Sequence, residues 1–187
     1  MERWSWLGDQ LAIDLANTVR RRGDRYVDFI AEPEGVREWL AAEAGRVPPV
    51  PVDDGAVRAV GDLRDDVLAV LRAAARGESW PKDAVGRLNE LLARRPVVRL
   101  LRPEARGAEV RVAGDGPPLS ALLATVAAEV VELLAGPDAD RLALCDAPGC
   151  GQLYLRDRRN QRWCGDACGT RARVVRHQRR VAGRASA

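Results

Sequence analysis

The sequence predicts an α+β chain in two parts. Residues 1–137 read as a mainly helical N-terminal domain with a small β-hairpin, and residues 138–187 as a four-cysteine module ending in a basic helix. Three observations predict this. Apolar residues recur at helical spacing through most of the N-terminal part. All four cysteines fall between Cys145 and Cys168. Charge divides unevenly: from Arg141 onward there are 11 Arg against 3 Asp, a net of +8, whereas residues 1–140 hold 19 basic and 24 acidic groups, a net of −5. An acidic body joined to a basic tail points to a polyanion partner at the C-terminal end.

With 187 residues and 47% hydrophobic content, the chain can bury a real core. The opening MERWSWLGDQ has no apolar run of the signal-peptide kind, which points to the cytoplasm. Trp4 and Trp6 read as an edge strand or a tucked-in arm. Leu11, Leu15 and Val19 at i, i+4, i+8 predict a short helix over Leu11–Val19. Arg20 to Arg25 reads as a basic loop. Pro33-Glu34 opens a helix whose apolar side is Val36, Trp39 and Leu40. The Pro-rich stretch 47–52 is a connector. Asp53-Asp54 opens a long helix with Val57, Val60, Leu63, Val67, Val70 and Leu71 inward, closed by Gly77. A further helix runs from Pro81 to Ala93. Residues 97–102 and 108–112 read as two strands joined by a hairpin loop over 103–107. Leu119–Ala135 is the most apolar helix. Glu129 and Glu132 interrupt it, which disfavours a membrane span.

The cysteines are spaced C-x4-C, thirteen residues, C-x3-C. Each short pair can bring two sulfurs to one ion, and the stretch between can fold back to complete a tetrahedron. That is the pattern of a structural zinc site with Cys145, Cys150, Cys164 and Cys168 as ligands. Two disulfides would suit an oxidising compartment, and a redox pair would read C-x-x-C, which is absent. A four-cysteine iron–sulfur cluster is the chemical rival. With every ligand supplied by protein, no position is open for water or substrate, so the role is structural.

Residues 146–149 have turn chemistry. Residues 152–155 predict a short strand, 157–160 a polar tip and 161–163 a return strand, after which Asp166 caps a helix. Knuckle, hairpin, then helix is the order of a treble-clef-like finger. On the helix, Arg173, Arg176 and Arg180 fall within about 60° of one another, with Val174, Val175 and Val181 mostly on the other side. One face is expected to pack on the hairpin and the other to present guanidinium groups. Arg156, Arg158, Arg159 and Arg162 add charge from the hairpin.

The paired cysteines, Arg162-Trp163-Cys164, Cys168-Gly169-Thr170-Arg171 and the basic helix with His177 and Arg180 resemble the bacterial CGNR zinc-finger proteins, a family of stress-induced transcription regulators. The name motif reads Cys-Gly-Asn-Arg, and this chain has Thr170 in place of the Asn. Leu11 to Thr18, LAIDLANT, resembles that family's LALDFVNT opening. The resemblance thus spans most of the chain and is strongest at both ends. It implies one structural zinc ion, DNA binding, and an N-terminal ABATE-type domain that senses a small-molecule effector or forms a homodimer.

The expected function is a zinc-finger regulator that binds nucleic acid, DNA first, through Arg158, Arg159, Arg162, Arg171, Arg173, Arg176, His177, Arg179 and Arg180. Neutralising about four to six phosphates would make binding steeply salt-dependent. Four thiolates around Zn²⁺ leave a net negative centre that Arg162 and Arg171 can offset. A protein-interaction module docking an acidic partner is the second reading. A small-molecule-binding enzyme domain comes last, because His177 is the only histidine and no nucleophile–base pair, P-loop or HExxH occurs. Asp14, Asn17 and Thr18 share a polar helix edge, read first as capping and solvation and second as the wall of an N-terminal ligand site.

Overall fold

The computed structural model describes residues 10–22, 25–102, 107–112 and 115–185. Trp4, Trp6 and the 103–106 loop lie outside them. In order come α1 (Leu11–Ala16), β1 (Val19–Arg22), β2 (Arg25–Asp28), α2 (Pro33–Ala42), α3 (Asp54–Arg76), α4 (Lys82–Arg94), β3 (Val97–Arg102), β4 (Gly107–Val112), α5 (Pro118–Ala135), a single 3₁₀ turn (Ala139–Arg141), β5 (Leu142–Leu144), β6 (Leu153–Leu155) and α6 (Asp166–Ala185). Three separate antiparallel pairs form: β1 with β2, β3 with β4, and β5 with β6.

The central element is α3, and its limits follow from its end residues. Asp53 accepts a hydrogen bond from Ala56 N at 2.8 Å, satisfying a donor that the first turn leaves open. At the other end Gly77 takes φ +68, and the amides of Gly77 and Glu78 donate back to Ala74 and Ala73. Between them Val60, Leu63, Val67, Val70 and Leu71 are buried. Helices α1, α4 and α5 pack on this stripe. Helix α5 is long and apolar enough to cross a membrane by length and composition alone. Here Leu122, Val126, Val130 and Leu133 sit in the core beside α3.

Two N-terminal expectations need correcting. The first helix stops at Ala16, because the chain turns through Asn17 and Thr18 into β1. In the basic stretch Arg20–Arg25, residues 20–22 and 25 are strand and not loop: β1 pairs with β2 from Val19↔Asp28 to Arg22↔Arg25, and Gly23 and Asp24 lie outside the described residues. Its charged sequence lacks the apolar alternation that announces a strand. Arg64 of α3 fastens this hairpin, donating to Asp28 of β2 at 2.6 Å.

Candidate metal centre

The cysteine module grows out of a hairpin that serves two cores. Strands alternate their side chains between faces. In β5 and β6 this puts Leu142 and Leu153 into the main core, with Leu144 and Leu155 packed beside them, while Ala143 and Tyr154 face the cysteines. The register Leu142↔Leu155, Ala143↔Tyr154, Leu144↔Leu153 keeps like with like across the pair. The expected return strand over 161–163 is absent. Instead Tyr154 donates to Gln161 O at 3.0 Å, and Gln161 Nε2 donates to Trp163 O at 3.0 Å, so this stretch is irregular chain folded on itself. The C-x4-C knuckle is therefore the connection inside the hairpin, not a turn that precedes it.

Asn17 locks this hairpin to the body. Its Nδ2 donates to Leu153 O at 2.9 Å and its Oδ1 accepts from Leu153 N at 3.0 Å, a two-point grip on one buried residue of β6. The neighbouring positions are also engaged by the fold. Thr18 Oγ1 donates to Leu15 O at 2.7 Å. Asp14, fully buried, lies 3.5 Å from Arg46 Nη1, which also pairs with buried Glu43 at 2.9 Å.

The four Sγ atoms all lie within 4.8 Å of one another. Cys150 and Cys164 are 3.8 Å apart and Cys164 and Cys168 3.6 Å, with no disulfide among them. Four sulfurs at about 2.3 Å from one ion form a tetrahedron with edges of about 3.8 Å, so the spacing fits zinc. A second observation fits as well. Gln152 is 5% exposed, its Oε1 lies 3.7 Å from both Cys150 and Cys164 Sγ, and its Nε2 is buried with no hydrogen-bond partner. Rotating that amide by half a turn, an orientation ordinarily assigned rather than observed, would aim the orphan donor at two thiolates. Sequence reading passed over Gln152; its place two residues after a ligand was the available signal.

Without an ion the thiols share charge unequally. Cys145 is held as a thiolate, its pKa drawn down to about 2 by hydrogen bonds from the Cys150 and Cys164 thiols, with help from backbone amides including Cys164 N at 3.4 Å. Cys150, donating to Cys145, is pushed up from its ordinary value of 9.0 to about 12, and Cys164 is raised for the same reason. A raised thiol pKa favours the protonated form below 9, so near neutrality these two protons oppose the metal. Apparent zinc affinity is therefore expected to rise with pH, by about two or more decades per unit between pH 5 and 8, and acid to strip the site. Competition with a chromophoric chelator measures that slope. A slope near zero would show that the thiols are not the ligands.

Helix α6 starts at Asp166, and Cys168 in its first turn joins the buried cluster of the knuckle, with Gly169 buried and Ala172 and Val175 half-buried. Gly169 lies against the Trp163 ring, where an added Cβ would come within 3.2 Å of ring carbon Cε3. Arg171 Nη1 donates to Pro148 O at 3.2 Å and Arg162 pairs with Asp146 at 3.1 Å, so both brace the knuckle from outside. Thr170 Oγ1 accepts from Arg173 Nη2 at 3.0 Å. The expected apolar face is only partly right. Val175 is half-buried, but Val174 and Val181 are 49% and 54% exposed, since none of the described residues of the body covers the later turns. From Arg176 to Ala182 every side chain is exposed. So are Arg158, Arg159, Arg162, Arg171 and Arg173, which places all nine expected nucleic-acid contacts at the surface of the finger.

A helical body sharing a hairpin with a four-thiolate site defines a zinc-finger protein. Residues 141–181 match the CGNR zinc finger, whose four cysteines bind one structural zinc ion here. Residues 9–137 match the ABATE family, described as "Putative stress-induced transcription regulator". That match covers more than half of the chain, and the chain belongs to this family. No curated protein matches it.

Proposed function

We propose that this protein is a transcription regulator that binds DNA in the cytoplasm through its finger, and that it is not an enzyme. The observation that carries the reading is a set of cationic side chains with nothing to hold inside the molecule. Arg158, Arg159, Arg176, Arg179 and Arg180 are exposed, and their side chains have no hydrogen bond or ion pair among the described residues. His177 stands among them on α6. The metal centre supplies no chemistry. Zinc ties both cysteine pairs together, so that the first turn of α6 is fixed and the rest is held away from the acidic body. Guanidinium groups suit phosphates because their planar fork donates two parallel hydrogen bonds.

The test is the variant Arg173→Ala/Arg176→Ala/Arg180→Ala, checked first for zinc content and folding. Binding to duplex DNA is expected to weaken by about tenfold or more at physiological salt, and the slope of log affinity against log salt to flatten by about 2.7. Undiminished binding by a folded, zinc-loaded variant would overturn the reading. The exposed Val174 and Val181, one heptad apart, favour a second reading in which α6 docks an acidic protein. Absence of any mobility shift with duplex, single-stranded DNA or RNA at low salt would select it.

A further inference from the structure

A second cationic feature lies away from the exposed face of α6. The β1–β2 hairpin, the last turns of α3 and the zinc knuckle enclose a cleft of about 500 Å³. Arg21, Arg72, Arg76 and Arg156 line it, and Asp146, already paired with Arg162, is its one carboxylate among the described residues. Tyr26, 65% exposed as a residue, stands at its wall. The remaining knuckle wall is largely small residues, among them Gly149 and Gly151, so backbone there is open to close approach.

Three of these arginines, Arg72, Arg76 and Arg156, have few partners of their own. Arg72 is half-buried and has no hydrogen bond or ion pair among the described residues. Burial lowers its pKa; the Tyr26 hydroxyl beside it works the other way, and the neighbouring Arg76 charge lowers it further. The nearest carboxylate to Arg76 is Glu78, 3.9 Å away and itself exposed. Arg156 Nε is buried without an acceptor. Gathering like charges on a partly desolvated surface costs stability unless an anion answers them. The fold does not need them as fasteners, since Arg64 already ties the hairpin to α3, and the thiolates behind the knuckle answer only part of their charge.

We infer that this cleft is a binding site for a small phosphorylated ligand of mononucleotide size, with Arg72, Arg76 and Arg156 on the phosphate and Tyr26 against a planar ring. The volume falls in the usual range for small-molecule sites. Arginine matches phosphate geometry, and an exposed tyrosine ring offers a stacking face. Because Cys145 and Cys150 belong to the cleft wall, an occupant would touch the same knuckle that sets the direction of α6.

The experiment titrates zinc-loaded full-length protein with inorganic pyrophosphate, adenosine 5′-monophosphate and adenosine in a calorimeter. Both phosphates are expected to saturate one site per chain. Adenosine and the Arg72→Gln variant are each expected to bind about tenfold or more weakly. Tyr26→Ala, at an exposed position, should weaken the mononucleotide and spare pyrophosphate. The α6 triple variant should keep both. No saturable binding of either phosphate by about 10 mM, or equal binding by Arg72→Gln, overturns the inference. So does an Arg72→Gln effect confined to duplex DNA, which would make the cleft part of the DNA-binding surface and leave the proposed function standing.

Discussion

Replacing Cys164 with Ser is expected to release the zinc and unfold the finger. Cys164 is the most connected of the four sulfurs, 3.8 Å from Cys150 and 3.6 Å from Cys168, with its amide 3.4 Å from Cys145 Sγ. A hydroxyl is a harder and far less ionised donor than a thiol, and three thiolates leave the ion open to water. In zinc-finger peptides the ion contributes about 10–16 kcal/mol of folding free energy, comparable with the whole stability of a typical domain. The buried set around the site is only Ala143, Cys145, Ala147, Tyr154 and Cys168, too small to substitute for it. Metal analysis should find no bound zinc, and hydrogen exchange should show protection lost from residue 156 onward. The body should melt at lower temperature but stay folded, because Leu142 and Leu153 belong to its own core. Full zinc occupancy with unchanged protection in the variant would refute the four-ligand assignment.

Asn17→Ala is expected to cost about 2–5 kcal/mol, because it strands two buried backbone groups at once. The N–H and C=O of Leu153 both depend on the Asn17 amide, and Leu153 is fully buried. No other side chain is hydrogen-bonded to them among the described residues. For a chain of this length that loss corresponds to a fall in melting temperature of about 5–15 °C. Asn17→Asp should do no better, since it keeps one acceptor, removes the donor and adds a charge to a dry site. Thermal unfolding of the zinc-loaded variants decides the matter, and a shift within about 1 °C would mean that the grip contributes nothing.

These two positions also mark how far the sequence could be read. The cysteine site was legible because its ligands lie close together and their spacing is itself the chemistry. Helix α3 was legible because Asp53, Gly77 and six apolar residues on one stripe all point to the same segment. The polar edge of Asp14, Asn17 and Thr18 was visible as a pattern, but its occupation was not. The partner of Asn17 lies 136 residues away, and no local rule names it. The same limit hid the real hairpin of the finger. Three-residue strands are too short to show a period, so 161–163 was given the pairing that β5 takes. The cleft is assembled from several chain segments, so its arginines appear in the sequence only as scattered charge.

The hairpin between the two cores has a consequence for how the chain matures. During synthesis the segment that completes the helical body emerges late, since β6 ends at Leu155 and the body's own helices end at Ala135. Until then the surface destined for Leu142 and Leu153 stays open, and the polypeptide must wait with an unfinished seam. Closing it joins positions far apart along the chain, the kind of contact that forms slowly. A nascent chain of this protein thus closes its body only after β6 has emerged, when sulfur, zinc and the first helix meet.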